Sequence, residues 1–142
     1  IENLISKYQI PRNLLEFELT ENVFLENSDK AIQVMNKLKK MQFKVSMDDF
    51  GSGFSSLNLL KKLPVDILKM DKGFLDTDEI KGNDEVVIKS IIDMAKKMSI
   101  TVLCEGVETQ KQAMFLQNAG CDLAQGYYFS KPVMVEQFDE ML

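Results

Sequence analysis

Five short apolar runs rich in β-branched and aromatic residues recur along the chain: Leu15–Leu19 (LEFEL), Phe43–Met47 (FKVSM), Val65–Met70 (VDILKM), Ile100–Cys104 (ITVLC) and Leu123–Phe129 (LAQGYYF). Runs this short, bounded by polar and turn residues, read as strands. Helical spacing lies between them. Ser28–Met41 places Ala31, Ile32, Met35, Leu38 and Met41 on one face, with Ser28 as the expected N-cap. Ser55–Leu63 reads as a short helix stopped by Pro64, and Asn83–Met98 as a helix carrying Val86, Val87, Ile91, Met94, Ala95 and Met98. Thr109–Asn118 opens with Thr-x-x-Gln, a capping box through Gln112, and Gly120 sits where a C-terminal cap belongs. Weaker helices flank these at Ile1–Tyr8 and Val135–Leu142. The polar stretch Asp76–Asp84, with Gly82, reads as a mobile loop.

The order is α-βα-βα-βα-βα-βα. Such alternation predicts an α/β fold with a mostly parallel sheet and right-handed crossovers. Two architectures satisfy it: an open doubly wound sheet of the flavodoxin type, or part of a (β/α)₈ barrel. Strand starts advance by about 27 residues per unit, so eight units need well over 200 residues. The 142 residues here hold five.

Composition narrows the chemistry. The chain has no His, so a Ser-His-Asp triad, a Cys-His pair and a His-ligated zinc are excluded. Lys plus Arg is 17 against 22 Asp plus Glu, a net charge of −5, which argues against a DNA or RNA duplex as partner. Cys104 and Cys121 are isolated, as small core residues of a reducing compartment are. No apolar run approaches a membrane span and no signal-peptide pattern opens the chain; Ile1 in place of Met suggests an excised segment.

Polar residues cluster at the strand ends. Glu18 is near the end of the first run, Asp48 and Asp49 follow the second, Lys69 and Asp71 close the third, Glu105 and Glu108 follow the fourth, and Gln125 lies on the fifth. Ligands of parallel α/β proteins bind at the carboxyl ends of strands. A single carboxylate there is commonly a helix cap or a solvated loop residue; five successive strands supplying polar groups are not explained that way. Two like charges at 4 Å repel by about 4 kcal/mol at an effective dielectric near 20, so convergent carboxylates need cations. Hard oxygen donors select Mg²⁺ or Mn²⁺. Two such ions about 3.5–4 Å apart clamp the attacking and leaving oxygens of a phosphoryl displacement, so the residues point to metal-assisted phosphoester hydrolysis.

Five ordered blocks, ELTEN (Glu18–Asn22), DDFGSGFSSL (Asp48–Leu57), LKMD (Leu68–Asp71), CEGVET (Cys104–Thr109) and GCDLAQGYYFSKPV (Gly120–Val133), resemble the signature of the EAL domain family. The resemblance covers nearly the whole chain. It implies a (β/α)₈ barrel of the TIM type that hydrolyses cyclic di-GMP to linear pGpG with Mg²⁺ or Mn²⁺. It further implies that Glu18 binds a first metal, Asp48 bridges two metals and Asp49 holds the second. Lys69 would orient the hydrolytic water, and Glu105 would bind the second metal and help activate that water. Asp71 would assist catalysis, Glu108 and Gln125 would act through water, and Glu21 would steady the Asp49–Ser56 loop. For Glu21 a plain interaction with a helix dipole is an equal alternative. Phe54, Phe74, Tyr127 and Tyr128 read as packing residues rather than base-stacking platforms.

Ser52, Phe54, Gly73 and Cys104 replace the family's common Thr, Tyr, Ser and Ala without removing a ligand. The Glu-Ala-Leu tripeptide and the Asn-bearing strand that contribute ligands to the first metal are not in this sequence. The expectation is therefore residues 1–142 as the C-terminal portion of one EAL domain, its two-metal site incomplete and the isolated chain inactive. The alternatives are a non-hydrolysing cyclic di-GMP receptor and a structural, oligomerising fragment. Homo-oligomers through open barrel edges are expected, as is a cytoplasmic location. In the parent protein the resemblance leaves room for an upstream sensor or GGDEF-type domain and for a membrane anchor.

Overall fold

The computed structural model describes residues 1–51, 60–77 and 79–141. Helix α1 (Glu2–Tyr8) leads through a 3₁₀ turn to β1 (Glu16–Thr20) and α2 (Glu21–Lys40). Then come β2 (Lys44–Phe50), β3 (Ile67–Met70), α3 (Asn83–Lys97), β4 (Thr101–Cys104), α4 (Gln110–Ala119), β5 (Leu123–Ala124) and α5 (Val135–Asp139). A second 3₁₀ turn, Lys72–Leu75, follows β3. The expected Ser55–Leu63 helix falls mostly outside the described residues.

All four strand pairings are parallel, and the strands lie side by side in chain order, β1-β2-β3-β4-β5. A flavodoxin-type sheet reverses direction at a switch point. Here no reversal occurs, so each unit winds the same way round, as in a barrel. Among the described residues the sheet is open, with β1 and β5 at its edges.

Alternation along the strands separates two faces. Val45, Met47, Leu68, Met70, Val102 and Cys104 point to the helices and are all at most 2% exposed. They pack against Ala31 and Met35 of α2 and Ile88, Ile92 and Ala95 of α3. Each fully buried side chain of this size contributes about 1.5–3 kcal/mol of transfer free energy, so the fold is held from this face. The opposite face carries Glu18, Ser46, Asp48 and Lys69.

Several boundaries differ from the sequence reading. Helix α2 starts at Glu21, with Thr20 at the N-cap, so Ser28 is interior rather than a cap. The acidic Glu21 in the first turn favours this earlier start through the helix dipole. In α3 the buried stripe is Ile88, Ile92 and Ala95, while Val86 and Val87 are exposed. The helix has two apolar stripes, and the i, i+4, i+7 set with two Ile faces the sheet. Strand β5 ends at Ala124 instead of Phe129 because the chain turns at Gly126. A Cβ at Gly126 would sit 2.1 Å from Val107 O, so the backbones of the two loops touch there. The α4 capping box at Thr109 and Gln112 and the left-handed Gly120 cap are as expected. The described part of Asp76–Asp84 is tied down by buried Ile80 and by Gln112 Nε2 bonded to Thr77 O at 3.4 Å.

Candidate active site

Four neighbouring strands bring one ammonium and three carboxylates together. Lys69, next to last in β3, is 7% exposed. Its Nζ lies 2.8 Å from Glu105 Oε1, 3.0 Å from Glu18 Oε1 and 3.3 Å from Asp48 Oδ1. Strand register accounts for the meeting. Glu18 pairs with Ser46 and Ser46 with Ile67, so Asp48 and Lys69 stand one pleat further along the same face. Glu105 follows the last residue of β4, and its N–H donates to Met70 O at 3.1 Å. Burial alone would push the Lys69 pKa down. Hydrogen bonds to Glu105 and Glu18 and the charges of Glu105 and Asp48 outweigh it, and the net shift is upward.

The Asp48-Asp49 pair sits on a β-bulge. Met47 pairs with Leu68 and Phe50 with Met70, so Asp48 and Asp49 together oppose Lys69. Asp49 takes the left-handed conformation at φ 57°, which Asp tolerates better than most residues. The extra residue lets Phe50 return to the packed face, where it is 3% exposed. Gly51 follows at φ 94°, against the Phe74 ring, where a Cβ would meet ring atoms at 2.3 Å. Glu21, 2% exposed at the first turn of α2, accepts a hydrogen bond from Gly51 N at 3.3 Å. It thus touches the loop and also occupies the dipole position.

Not every candidate joins the cluster. Asp49 is half-buried beside it, and among the described residues it is not an ion-pair partner of Lys69. Asp71 caps the 3₁₀ turn, its Oδ1 accepting from Gly73 N at 2.8 Å. Glu108 and Gln125 are exposed on the same strand edge. Gln125 is held by its backbone, its N donating to Cys104 O at 2.9 Å and its O accepting from Val107 N at 3.0 Å. Tyr127 and Tyr128 are exposed, and Phe74 packs on the core. The sequence reading missed Ser46, fully buried between Glu18 and Ile67 in the sheet, and the loop-spanning bonds of Gln112. A polar residue in the middle of an apolar strand was the available signal for Ser46.

The donor chemistry fits a hard divalent cation. All three groups around Lys69 offer carboxylate oxygen, and among the described residues the buried Asp48 Oδ1 accepts no hydrogen bond and has only the ammonium at 3.3 Å. In this structure the ammonium is the cation on which they converge; among the described residues no three acidic groups stand at the spacing of metal ligands. Glu18, Asp48 and Glu105 are the carboxylates gathered there, with Asp49 beside them.

A singly wound parallel sheet with an ionic cluster at its carboxyl edge is the (β/α)₈-barrel arrangement, whose ligand sites lie at that edge. The family assignment follows from comparison: the EAL domain model matches residues 1–132, and the chain belongs to the EAL domain family. The chain is 40% identical over 128 residues to the cyclic di-GMP phosphodiesterase NbdA of Pseudomonas aeruginosa, covering 90% of this chain and 16% of NbdA. The phosphodiesterase PaMucR, solved with c-di-GMP, superposes with a TM-score of 0.88 at 31% identity, over 96% of this chain and 56% of that one. BlrP1 of Klebsiella pneumoniae, solved with manganese and cyclic di-GMP, gives 0.85 at 30% identity, over 92% and 33%. The chain thus spans a minor part of NbdA and little more than half of the MucR structure. The fold is five βα units of the TIM-type barrel of EAL domains. Among the described residues no helix is long and apolar enough to cross a membrane.

Proposed function

We propose that this chain forms part of a cyclic di-GMP phosphodiesterase that opens one 3′–5′ phosphodiester bond to give linear pGpG. The observation that carries the reading is Lys69 held among Glu18, Asp48 and Glu105. Glu18, Asp48, Asp49 and Glu105 are the metal ligands in this reading. Two bound Mg²⁺ or Mn²⁺ ions would supply Lewis-acid charge for the attacking and leaving oxygens. Lys69 donates hydrogen bonds that orient the attacking water and offsets charge developing on the phosphate. Glu105 accepts the water's proton. Asp71 holds the turn that follows Lys69, Glu108 and Gln125 act through water at the rim, and Glu21 holds the loop that follows Asp49.

In this reading the 142 residues, having neither the Glu-Ala-Leu tripeptide nor the Asn-bearing strand, turn over little by themselves. The test is cyclic di-GMP turnover with Mn²⁺ by the full-length protein. Turnover is expected, with Lys69→Ala losing most of the rate while metal binding survives. Binding of cyclic di-GMP without any turnover would favour the receptor reading instead. The open edges of β1 and β5 support a second proposal, pairing of copies of this chain. A monodisperse monomer at high concentration would refute it.

A further inference from the structure

We infer that Gln112 is a positioning residue: its single buried amide locks the loop after β3 to the loop after β4 and so sets Lys69 against Glu105. The side chain is 4% exposed. Its Oε1 accepts from Glu108 N at 2.8 Å and Thr109 N at 3.0 Å, the ordinary work of the third residue in a capping box. Its Nε2 does something a cap does not require. It donates to Leu75 O at 2.9 Å and Thr77 O at 3.4 Å, across 37 and 35 residues of sequence.

Each loop is a direct continuation of a site strand. The loop after β3 begins two residues beyond Lys69, and the loop after β4 begins with Glu105. They are in contact elsewhere along the same seam. A Cβ at Gly106, where φ is 70°, would lie 2.4 Å from Lys72 Cβ. Lys111 of α4 reaches Glu79 at 2.9 Å, but that pair is exposed and holds little. The buried amide is the strong tie, because losing its donor end strands two carbonyls, one of them the buried bond at Leu75. The seam backs a polar cleft lined by Lys72, Asp76, Thr77 and Glu108, so a shift of one loop also reshapes that cleft.

The kinetic part rests on the phosphodiesterase reading; the lock itself does not. The decisive variant is Gln112→Glu. A carboxylate keeps both acceptor bonds of the cap, removes the donor end and turns an oxygen toward the Leu75 and Thr77 carbonyls, so the cross-loop tie becomes a repulsion. Thr109→Ala is the opposite control, losing the hydroxyl that accepts from Gln112 N at 3.3 Å and leaving the cross-loop bonds in place. Both are made in the full-length protein. Amide exchange is followed at Gly73 and Phe74, and kcat and KM are measured for cyclic di-GMP with Mn²⁺. Gln112→Glu should speed exchange at those amides about tenfold, as for a stranded buried hydrogen bond. It should lower kcat about tenfold with KM unchanged, as misplacement of reacting groups does. Thr109→Ala should lower Tm and leave the exchange and kcat as in the wild type.

Equal behaviour of the two variants would reduce Gln112 to a cap. Faster exchange without a fall in kcat would overturn the positioning role, and unchanged exchange would overturn the lock. Should Gln112→Glu not fold, Gln112→Met is read by the same two measurements. Absence of turnover by the wild type would sink the phosphodiesterase reading, while the exchange data would still decide the lock.

Discussion

Replacing Lys69 by Met removes the ammonium and keeps most of the stem. Glu18, Asp48 and Glu105 are then left with no cation among them. Each contact of about 3 Å corresponds to about 5–6 kcal/mol of attraction at an effective dielectric near 20, before the cost of desolvating the charges. That gross figure must be cut back. The Glu18 side chain is 49% exposed, and a pair so solvated contributes at most about 1 kcal/mol. The Asp48 and Glu105 side chains are 20% and 27% exposed, and Lys69 is 9%. Stripping a partner from a fully buried pair costs about 3–5 kcal/mol, so this half-sheltered cluster should lose about 2–3 kcal/mol. Urea unfolding in EDTA, comparing wild type with Lys69→Met, measures it. Adding Mn²⁺ should then return stability to the variant, about 2.7 kcal/mol at a hundred times its Kd, because the ion takes over the missing charge. Since the folded pKa of Lys69 is raised, its contribution is fully present below the unfolded value of about 10.4 and is lost only as pH rises beyond it. The difference between the two proteins should therefore be flat from about pH 7 to 9. A variant as stable as wild type in EDTA, or one indifferent to Mn²⁺, would refute an ammonium balancing three carboxylates.

Gly126→Ala should destabilise by about 3 kcal/mol or more, because its Cβ would enter the Val107 backbone and no flexible side chain can yield; calorimetry reads this as a fall in Tm. Gly82→Ala, with nothing within 4 Å but a backbone at φ 64° and ψ −126°, should cost about 1–3 kcal/mol from backbone strain in the same experiment. Leu68→Ala, at a fully buried position in the middle strand, should cost about 3–5 kcal/mol by urea unfolding. Burial pushes the Cys104 thiol up to about 12, so at pH 8 it should ignore a thiol reagent until the chain is denatured; rapid stoichiometric labelling of the folded protein would contradict that.

Local chemistry was the legible part of the fold. The Thr109–Gln112 box and the Gly120 cap are written in neighbouring residues, and the apolar runs located every strand. The start of α2 was not legible, because the clear apolar spacing begins only at Ala31, ten residues after the helix does. The inner stripe of α3 was ambiguous for a different reason: two stripes compete, and only the sheet chooses between them. At the site, the motif order named Glu18, Asp48, Lys69 and Glu105, but nothing in it gave their convergence on one ammonium. The bulge was hidden because strict alternation sends adjacent residues to opposite faces, and only pairing with β3 reveals the extra residue. The cross-loop bonds of Gln112 were hidden by distance along the chain.

The bulge at Asp48-Asp49 acts on the strand as a frameshift acts on a reading frame. Up to Met47, odd positions of β2 serve the packed core and even positions serve the chemistry. After the inserted residue the parity reverses, and Phe50 at an even position belongs to the core. A map of tolerated substitutions along β2 should accordingly show a period of two that slips phase once, at Asp49. Deleting a single residue there would not merely shorten a loop. It would return β2 to regular alternation, with Phe50 still opposite Met70 on the packed face, and leave the site edge with one carboxylate instead of two.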